Sequence, residues 1–221
     1  RVRIIEDRID GMLLDFDGTP AETRFAGRFN ASNLAAVYGA ARFLGVPGHE
    51  LPVLMSRLCP VAGRFQPFRS ADGVTAIVDY AHTPDALINV LDTIREVAGE
   101  NSRVITVCGA GGNRDHGKRP LMAQAAAERS DILVLTSDNP RLEDPEAILT
   151  DMRAGLDDSQ LERTITVTDR REAIARAVAE ARPGDVILLA GKGHETTQTI
   201  GTVEYHFDDR EEIANALKAR K

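Results

Sequence analysis

Short apolar runs alternate with amphipathic segments from about residue 63 to the end of the chain. The apolar runs predict five strands, at 74–79, 103–108, 131–136, 164–168 and 185–190. The other segments predict five helices, at 84–98, 119–129, 144–154, 169–181 and 208–220. This alternation favours an α/β fold in which right-handed crossovers build a mostly parallel sheet. Around Gly201, the segments 198–200 and 202–207 predict a hairpin, which we expect to form an antiparallel edge.

The first 62 residues have a different pattern, in which short strands precede two helices. Strands are predicted at 2–5, at 12–16 and near 23–28, with turns at Asp10-Gly11 and Asp17-Gly18. Helices are predicted at 33–44 and 50–58, and Pro60 and Gly63 then mark a linker. We therefore expect two domains, residues 1–62 and residues 63–221.

The first predicted helix has a start signal and one apolar face. Either Asn30 or Ser32 is expected to cap its N-terminus. Four apolar positions have the spacing of a single buried face: Leu34, Val37, Ala41 and Leu44. Because Gly45-Val46-Pro47 follows directly, we expect the helix to end there.

Composition narrows the class of protein. A hydrophobic fraction of 43% and a charged fraction of 28% are ordinary for a globular protein. A formal net charge of −7 without any Lys/Arg block argues against nucleic-acid binding. Cys59 and Cys108 have neither metal-ligand nor disulfide-framework spacing, which fits a reducing cytoplasm. No apolar run reaches the ~20 residues of a membrane span, and no signal peptide is recognisable. Since the chain begins at Arg1, inside a predicted strand, we expect it to be a fragment.

The turn after the strand at 131–136 carries the most specific chemistry. Asp138-Asn139-Pro140-Arg141 follows a continuous apolar run, and open α/β sheets place ligands at the carboxyl ends of their strands. Pro140 fixes its own φ and favours an extended Asn139, which would hold Asp138 and Arg141 in a rigid turn. A guanidinium suits a carboxylate, and a carboxylate suits an ammonium. The turn therefore predicts a receptor for a zwitterion; a plain turn leading into the helix near Asp144-Pro145 is the alternative.

Two further motifs suggest phosphate chemistry. Residues 112–118 have the glycine–lysine spacing of a phosphate-binding loop, but Arg119 stands where that loop needs a Ser or Thr for magnesium. We therefore reject ATP binding by this loop. Residues 13–19 match the opening motif of haloacid-dehalogenase-type phosphatases, in which Asp15 would be the nucleophile and Asp17 the general acid. The short segment after Pro20 leaves no room for the βα unit such an enzyme needs, so an Asp-Gly hairpin turn is favoured and the phosphatase is an alternative.

Five motifs occur in order and together carry a resemblance. They are residues 79–85 (DYAHTPD), residues 111–120 (GGNRDHGKRP), the turn at 138–141 (DNPR), residues 191–195 (GKGHE) and residues 207–210 (FDDR). From about Phe25 onward the chain resembles the C-terminal part of a Mur ligase, of the branch that uses meso-diaminopimelate. The resemblance implies a Rossmann-like C-terminal domain over 63–221, preceded at 1–62 by the tail of the central ATP-binding domain.

The resemblance implies an ATP-dependent amide ligase of peptidoglycan synthesis. In such an enzyme a carboxylate of the UDP-N-acetylmuramoyl dipeptide becomes an acyl phosphate, which an amine of meso-diaminopimelate attacks. Six diaminopimelate contacts are implied: Arg114, Asp138, Asn139, Arg141, Gly191 and Glu195. Arg114 and Arg141 would bind carboxylate oxygens. Asp138 and Asn139 would accept or orient the ammonium, and Glu195 would add an anionic contact.

The resemblance also implies ATP contacts at five positions: Asn30, Asn33, Arg64, Asp79 and His82. Lys118 and Lys192 are further candidates for phosphate contacts. The Gly-Lys-Thr loop of the family does not occur in the 221 residues. Most contacts with ATP and Mg²⁺, and with the UDP-linked substrate, would therefore belong to missing N-terminal and central domains of the same chain. We expect no ligase activity from this chain alone.

Two further functions are compatible with parts of this pattern. A folate-polyglutamate ligase shares the architecture, but it is not expected to carry the motif at 138–141, so Arg141 discriminates between the two ligases. A binding module without catalysis would be favoured if a longer parent gene lacked Gly-Lys-Thr upstream.

Overall fold

The computed structural model of the protein describes residues 1–99 and 101–220. The chain divides into two compact units. The first unit comprises Arg1–Val61 with Glu96–Ala98, and the second comprises Ala62–Arg95 with Gly99–Lys221. Over the described residues, no helix combines the length and the apolar character needed to cross a membrane.

The first unit is a three-stranded antiparallel sheet with two helices. The strands are β1 (Val2–Arg8), β2 (Gly11–Phe16) and β3 (Thr19–Thr23), in that spatial order. The helices are α1 (Arg28–Phe43) and α2 (Leu51–Arg57). Alternate residues of β2 enter the core of this unit, where Met12, Leu14 and Phe16 pack against both helices. This period-2 pattern is that of a sheet with one face buried.

Four expectations for the first unit are wrong in detail. The third strand starts at Thr19, directly after the turn, and not near residue 23. Helix α1 starts at Arg28, because Gly27 adopts φ 87° and ψ 142° at the N-cap. Neither Asn30 nor Ser32 is a cap, and the Asn30 side-chain amide donates to the Ala26 carbonyl at 2.8 Å. The buried positions of α1 are Ala31, Leu34 and Tyr38, whereas Val37 and Leu44 are exposed.

The second unit is built on a six-stranded, mostly parallel sheet. Its strands are β4 (Gln66–Arg69), β5 (Thr75–Asp79), β6 (Val104–Cys108), β7 (Ile132–Leu135), β8 (Thr164–Thr166) and β9 (Val186–Ala190). The spatial order is β4-β5-β9-β6-β7-β8, and only the β4–β5 pair is antiparallel. The prediction of an α/β fold with a mostly parallel sheet and an antiparallel edge is confirmed.

Helices cover both faces of this sheet. They are α3 (Pro84–Val97), α4 (Lys118–Arg129), α5 (Pro145–Arg153), α6 (Asp158–Glu162), α7 (Arg170–Glu180) and α8 (Asp209–Ala219). Helices α7 and α8 pack on one face over a fully apolar core that includes Val107, Ile187 and Leu189. Thr106 points to the other face, where its hydroxyl meets Ser130 at the end of α4 at 2.6 Å.

The hairpin is formed, but it is not the edge of the main sheet. Strands β10 (Thr197–Ile200) and β11 (Val203–His206) make a separate two-stranded sheet. The antiparallel edge is instead β4, which the sequence did not predict because it has no apolar run and contains Pro67. Proline is tolerated on an edge strand, where no neighbour needs its missing N–H. Helix α6 was also not predicted, since it has only 5 residues.

Candidate functional site

A cavity of about 310 Å³ lies at the carboxyl ends of four adjacent strands, β5, β9, β6 and β7. The segments that follow these strands supply its wall, as expected for a ligand site in an open α/β sheet. Its volume is at the small end of the ~300–1,000 Å³ range of small-molecule sites. The six predicted diaminopimelate contacts all line this one cavity: Arg114, Asp138, Asn139, Arg141, Gly191 and Glu195.

The Asp138 carboxylate is the least satisfied group of the cavity. The residue is 9% exposed, and its Oδ1 has no hydrogen-bond partner among the residues that the structure describes. Burial raises its pKa above the ordinary value, although the nearby Arg170 and Lys192 oppose that shift. Gly191 adopts φ 116°, and a Cβ there would lie 3.4 Å from Asp138 Oδ2. Glycine at 191 therefore keeps open the space in front of this carboxylate.

Asn139 is already engaged by the protein. Its Oδ1 accepts from the Thr199 N–H at 2.9 Å and from the Lys192 ammonium at 3.2 Å. Its Nδ2 donates to Glu195 Oε2 at 3.0 Å. Two donors on one side of the amide fix which end is oxygen. Asn139 therefore orients the Glu195 carboxylate, which lines the cavity together with Asp138.

Arg141 occupies a left-handed backbone conformation, with φ 53°. Its N–H donates to the Thr199 carbonyl at 3.1 Å, and its carbonyl accepts from Gly201 at 2.7 Å. The hairpin of β10 and β11 thus holds the turn in place, in addition to Pro140. The Arg141 Nη1 donates to the Gly112 carbonyl at 3.0 Å, which directs the guanidinium along the cavity wall. Arg114 is exposed on the same wall, where Gly111 separates the two arginines.

A buried arginine locks the two loops of this wall together. Arg119 is 0% exposed, and its Nη2 donates to both Glu143 carboxylate oxygens at 2.9 and 2.8 Å. Glu143 also accepts from the Asn113 N–H, and these two contacts hold its pKa below the ordinary value. The Asn113 side chain accepts from the Leu142 N–H at 3.1 Å. Arg119, which excluded an ATP loop in the sequence, is therefore a structural tie between the segments that carry Arg114 and Arg141.

The predicted ATP contacts divide between the two units. Arg64, Asp79 and His82 belong to the second unit, and the Arg64 guanidinium lies 4.7 Å from the Tyr80 ring, which also contacts His82 at 4.6 Å. Asp79 accepts from the Phe65 and Ala81 N–H groups, both at 2.8 Å, so it holds the segment before β4 and does not cap a helix.

Burial raises the pKa of Asp79, and its two backbone donors oppose that shift. Asn30 and Asn33 lie in α1 of the first unit, within 3.5 Å of each other. Of the two candidate phosphate contacts, Lys118 lines the cavity, whereas Lys192 is 0% exposed and lies beneath it. The phosphate contact of Lys192 stays a prediction that its burial does not favour.

The phosphatase alternative is not favoured. Asp15 and Asp17 flank the β2–β3 turn, where positive φ values at Asp17 and Gly18 (51° and 91°) match a two-residue type I′ hairpin. Both carboxylates are engaged: Asp15 by Arg3 and Gly18, and Asp17 by the chain's N-terminal ammonium, Tyr38 and Arg42. The motif is a hairpin turn of an antiparallel sheet.

Residues 63–193 match the protein family described as Mur ligase, glutamate ligase domain. Curated relatives named UDP-N-acetylmuramoyl-L-alanyl-D-glutamate–2,6-diaminopimelate ligase include one from Bacteroides thetaiotaomicron, 56% identical over 95% of this chain and 43% of the relative. Another, from Parabacteroides distasonis, is 54% identical over 99% of this chain and 45% of the relative. The chain spans less than half the length of these relatives.

Solved structures agree on the fold. The structure of a ligase with the same name is 40% identical, with a TM-score of 0.73 over 98% of this chain and 44% of that one. A folylpolyglutamate synthase from Mycobacterium tuberculosis, complexed with ADP, is 20% identical, with a TM-score of 0.64 over 86% of this chain and 45% of that one. At that identity the second similarity concerns the fold alone.

Proposed function

The chain belongs to the Mur ligase family, and we propose that it forms the amino-acid-binding part of an ATP-dependent ligase that adds meso-diaminopimelate to UDP-N-acetylmuramoyl-L-alanyl-D-glutamate. Residues 1–62 would be the tail of the central ATP-binding domain, and residues 63–221 would be the C-terminal domain. The names of the relatives that are 54–56% identical support the choice of substrates. The UDP-linked substrate and ATP would place the reaction in the cytoplasm.

The single observation that carries this proposal is the cavity in which Asp138, a buried carboxylate with one oxygen that accepts no hydrogen bond from the described residues, lies with Glu195 and two arginines. A zwitterion offers one ammonium and one carboxylate. The ammonium would lie between Asp138 and Glu195, and the carboxylate would receive the N–H donors of Arg114 and Arg141. This set is matched in both charge and hydrogen-bonding capacity to one α-amino-acid end of diaminopimelate, which leaves its other amine free to react.

In the whole ligase, ATP supplies the phosphoryl group that activates the substrate carboxylate, and the residues of this chain hold the attacking amino acid. Orientation of the amine is a large part of catalysis in such a reaction. For ATP itself the chain fits in part: Arg64 and His82 are exposed beside Tyr80, whereas Asp79 is used by backbone amides. Among the described residues, no three His, Cys, Asp or Glu side chains could share a metal ion. By the family resemblance, most contacts with Mg²⁺ would belong to parts of the ligase outside this chain.

A folate-polyglutamate ligase is the competing function, because it has the same fold. The amino acid that such an enzyme adds is glutamate, which has one amino group, whereas meso-diaminopimelate has an amino group and a carboxylate at each end. A folate-polyglutamate ligase therefore needs no receptor for a second such end. Arg141 therefore separates the two functions, and a test of this side chain is also a test of the substrate.

Binding of meso-diaminopimelate to this chain, measured by titration calorimetry with L-lysine as comparator, tests the proposal. We expect selective binding of diaminopimelate that Arg141→Ala weakens by about 2–4 kcal/mol, the size of a severed charge-assisted contact. Arg182→Ala is the matched control, since Arg182 is exposed and precedes β9 at the opposite end of the sheet. Equal affinity for lysine, or an Arg141→Ala variant that binds like the wild type, would contradict the assignment.

A further inference from the structure

Lys192 lies beneath the cavity. Its side chain is 0% exposed, and its ammonium donates to the Thr197 carbonyl at 2.6 Å and to Asn139 Oδ1 at 3.2 Å. The same nitrogen lies 3.6 Å from Asp138 Oδ1 and 3.5 Å from Glu195 Oε2. One buried cation therefore contacts three of the six proposed diaminopimelate residues, while it is itself shielded from any ligand.

The charges around Asp138 give the contact with Lys192 an electrostatic effect on this carboxylate. Arg170 on α7 and Lys192 after β9 favour the ionised carboxylate, whereas Glu195 and Asp209 on α8 oppose it. Cys108, at the end of β6, is also buried beside it.

Arg170 forms a fully buried ion pair with Asp209 at 2.7 Å, and its charge also favours the ionised form of Asp138, more strongly than that of Lys192. Lys192 is the cation that lies close to both carboxylates facing the cavity, 3.6 Å from Asp138 and 3.5 Å from Glu195. Two carboxylates in one partly enclosed site repel each other, so Glu195 disfavours the ionised form of Asp138 and the charge of Lys192 offsets this effect.

We propose that Lys192 is a positioning residue of the amino-acid receptor, one that acts through Asn139, Asp138 and Glu195 and never touches the ligand. It fixes the Asn139 amide, which in turn orients Glu195, and its charge favours the ionised form of Asp138 against the opposing charge of Glu195. The inference rests on the proposed function and deepens it: the receptor needs a hidden positive charge in order to recognise an ammonium.

The substitution Lys192→Met tests this role, since methionine has a similar shape but neither charge nor donor. Lys218→Met, on the exposed side of α8, is the control with the same chemical change. Two quantities are measured on the full 221-residue chain: the pKa of the Asp138 carboxyl by ¹³C NMR without ligand, and the dissociation constant of meso-diaminopimelate by calorimetry over a range of pH.

In Lys192→Met we expect the Asp138 pKa to rise by about one pH unit or more. The affinity for meso-diaminopimelate should fall by about tenfold to a hundredfold, as when one member of a buried charged pair is removed. The loss of binding at acidic pH should also begin at a higher pH than in the wild type. Lys218→Met should match the wild type in all three. An Asp138 pKa that does not respond to Lys192→Met overturns the proposal, because the proposed role requires the charge of Lys192 to act on this carboxylate.

If the Lys192→Met chain does not fold, a second measurement on the wild type tests the same role. In the wild type, the buried Lys192 ammonium is followed by ¹⁵N NMR while Asp138 is titrated; its chemical shift must change at the Asp138 midpoint. A Lys192 signal that ignores this titration contradicts the shared-cation role. A wild-type chain that does not bind meso-diaminopimelate contradicts the proposed function instead. The response of the Asp138 pKa to Lys192→Met is measured without ligand, so it tests the role of Lys192 even in that case.

Discussion

Two short acidic motifs of this chain, at residues 13–19 and 138–141, suggested ligand chemistry. They differ in the groups that surround their carboxylates. Asp15 and Asp17 belong to a tight hairpin of an antiparallel sheet, where two arginines, a tyrosine hydroxyl and the Gly18 N–H donate to their carboxylates. Asp138 follows a parallel strand, is buried, and has one oxygen without a hydrogen-bond partner within the described part of the chain. A carboxylate whose partners are all supplied by the protein stabilises a fold. A carboxylate that lines a cavity and keeps one oxygen without a hydrogen bond is available to a ligand.

The difference originates in sheet topology. Antiparallel strands joined by a two-residue turn place consecutive residues at a solvent-exposed corner, where nearby side chains meet them. Parallel strands all end on one side, so residues far apart in sequence converge there. Asn139 and Glu195, which hydrogen-bond at 3.0 Å, are separated by 56 positions. Four predictions, from the largest expected effect to the smallest, test this contrast.

The largest effect is expected from the ion pair below the cavity. Arg170→Met leaves Asp209 charged and unpaired in a fully buried position, which should cost about 3–5 kcal/mol of unfolding free energy. Arg42→Met removes one of the partners of Asp17 at the exposed hairpin and should change stability far less. Urea unfolding followed by circular dichroism measures both. Similar losses in the two variants would show that burial does not distinguish these pairs.

Removal of the Asp138 charge should separate binding from stability. Asp138→Asn should weaken meso-diaminopimelate binding by about 2–4 kcal/mol, because the ammonium loses an ionic partner. The free energy of unfolding at neutral pH should stay the same or rise, since burial disfavours the ionised carboxylate. Asp15→Asn is the control, and it should leave binding unchanged. A destabilised Asp138→Asn chain with intact binding would reverse the interpretation of this residue.

Two glycines with positive φ offer a smaller test. Gly18→Ala and Gly191→Ala should each lose about 1 kcal/mol of stability from backbone strain. Only at Gly191 would the added Cβ approach the receptor, 3.4 Å from Asp138 Oδ2; at Gly18 it would meet no described atom within 4 Å. Calorimetry should therefore show weaker diaminopimelate binding in Gly191→Ala alone. Equal binding by both variants would mean that the space in front of Asp138 is not used.

The carboxyl pKa values of Asp17 and Asp138 should shift in opposite directions from the ordinary value. Hydrogen bonds from the N-terminal ammonium and Tyr38 lower the pKa of Asp17 below 3.8, whereas burial raises that of Asp138 above 3.8. The contribution of Asp17 to stability is then present above pH 3.8 and lost as the pH falls through its lowered pKa. Asp138 acts oppositely: stability decreases as the pH rises from 3.8 to its raised pKa. Carboxyl ¹³C NMR gives both midpoints, and midpoints on the same side of 3.8 would contradict the contrast.

Local patterns predicted much of this fold. The runs at Ile132–Leu135 and Val186–Ala190 are continuous and buried, and both became strands of the parallel sheet. The elements that were not predicted correctly depend on partners distant in sequence or on backbone conformations with positive φ. Strand β4 has no apolar run and is defined by its pairing with β5, and helix α1 starts early because Gly27 has a positive φ. The hairpin was predicted from its own sequence, but no local signal shows which sheet a strand joins.

The same division holds for the candidate site. The lining residues stand next to strand ends in recognisable motifs, so their positions in one cavity could be anticipated. The supporting cations Arg119, Arg170 and Lys192 could not, because a lone basic residue in a sequence is usually exposed. Their burial depends on hydrogen-bond acceptors 24, 39 and 53 positions away. In hindsight, the arginine at the Ser/Thr position of a phosphate-loop spacing was the one available signal.

The position of β9 has a consequence for how the chain acquires its structure. This strand lies between β5 and β6, which pair with it and not with each other, although it comes last of the six in sequence. During synthesis, the first half of the second unit therefore leaves a central gap with two unpaired strand edges until residue 190 has emerged. The cavity is completed by the same event, since Gly191, Lys192 and Glu195 follow directly. A nascent chain that stops short of β9 has no receptor and is open to misassociation at the edges that β9 would cover.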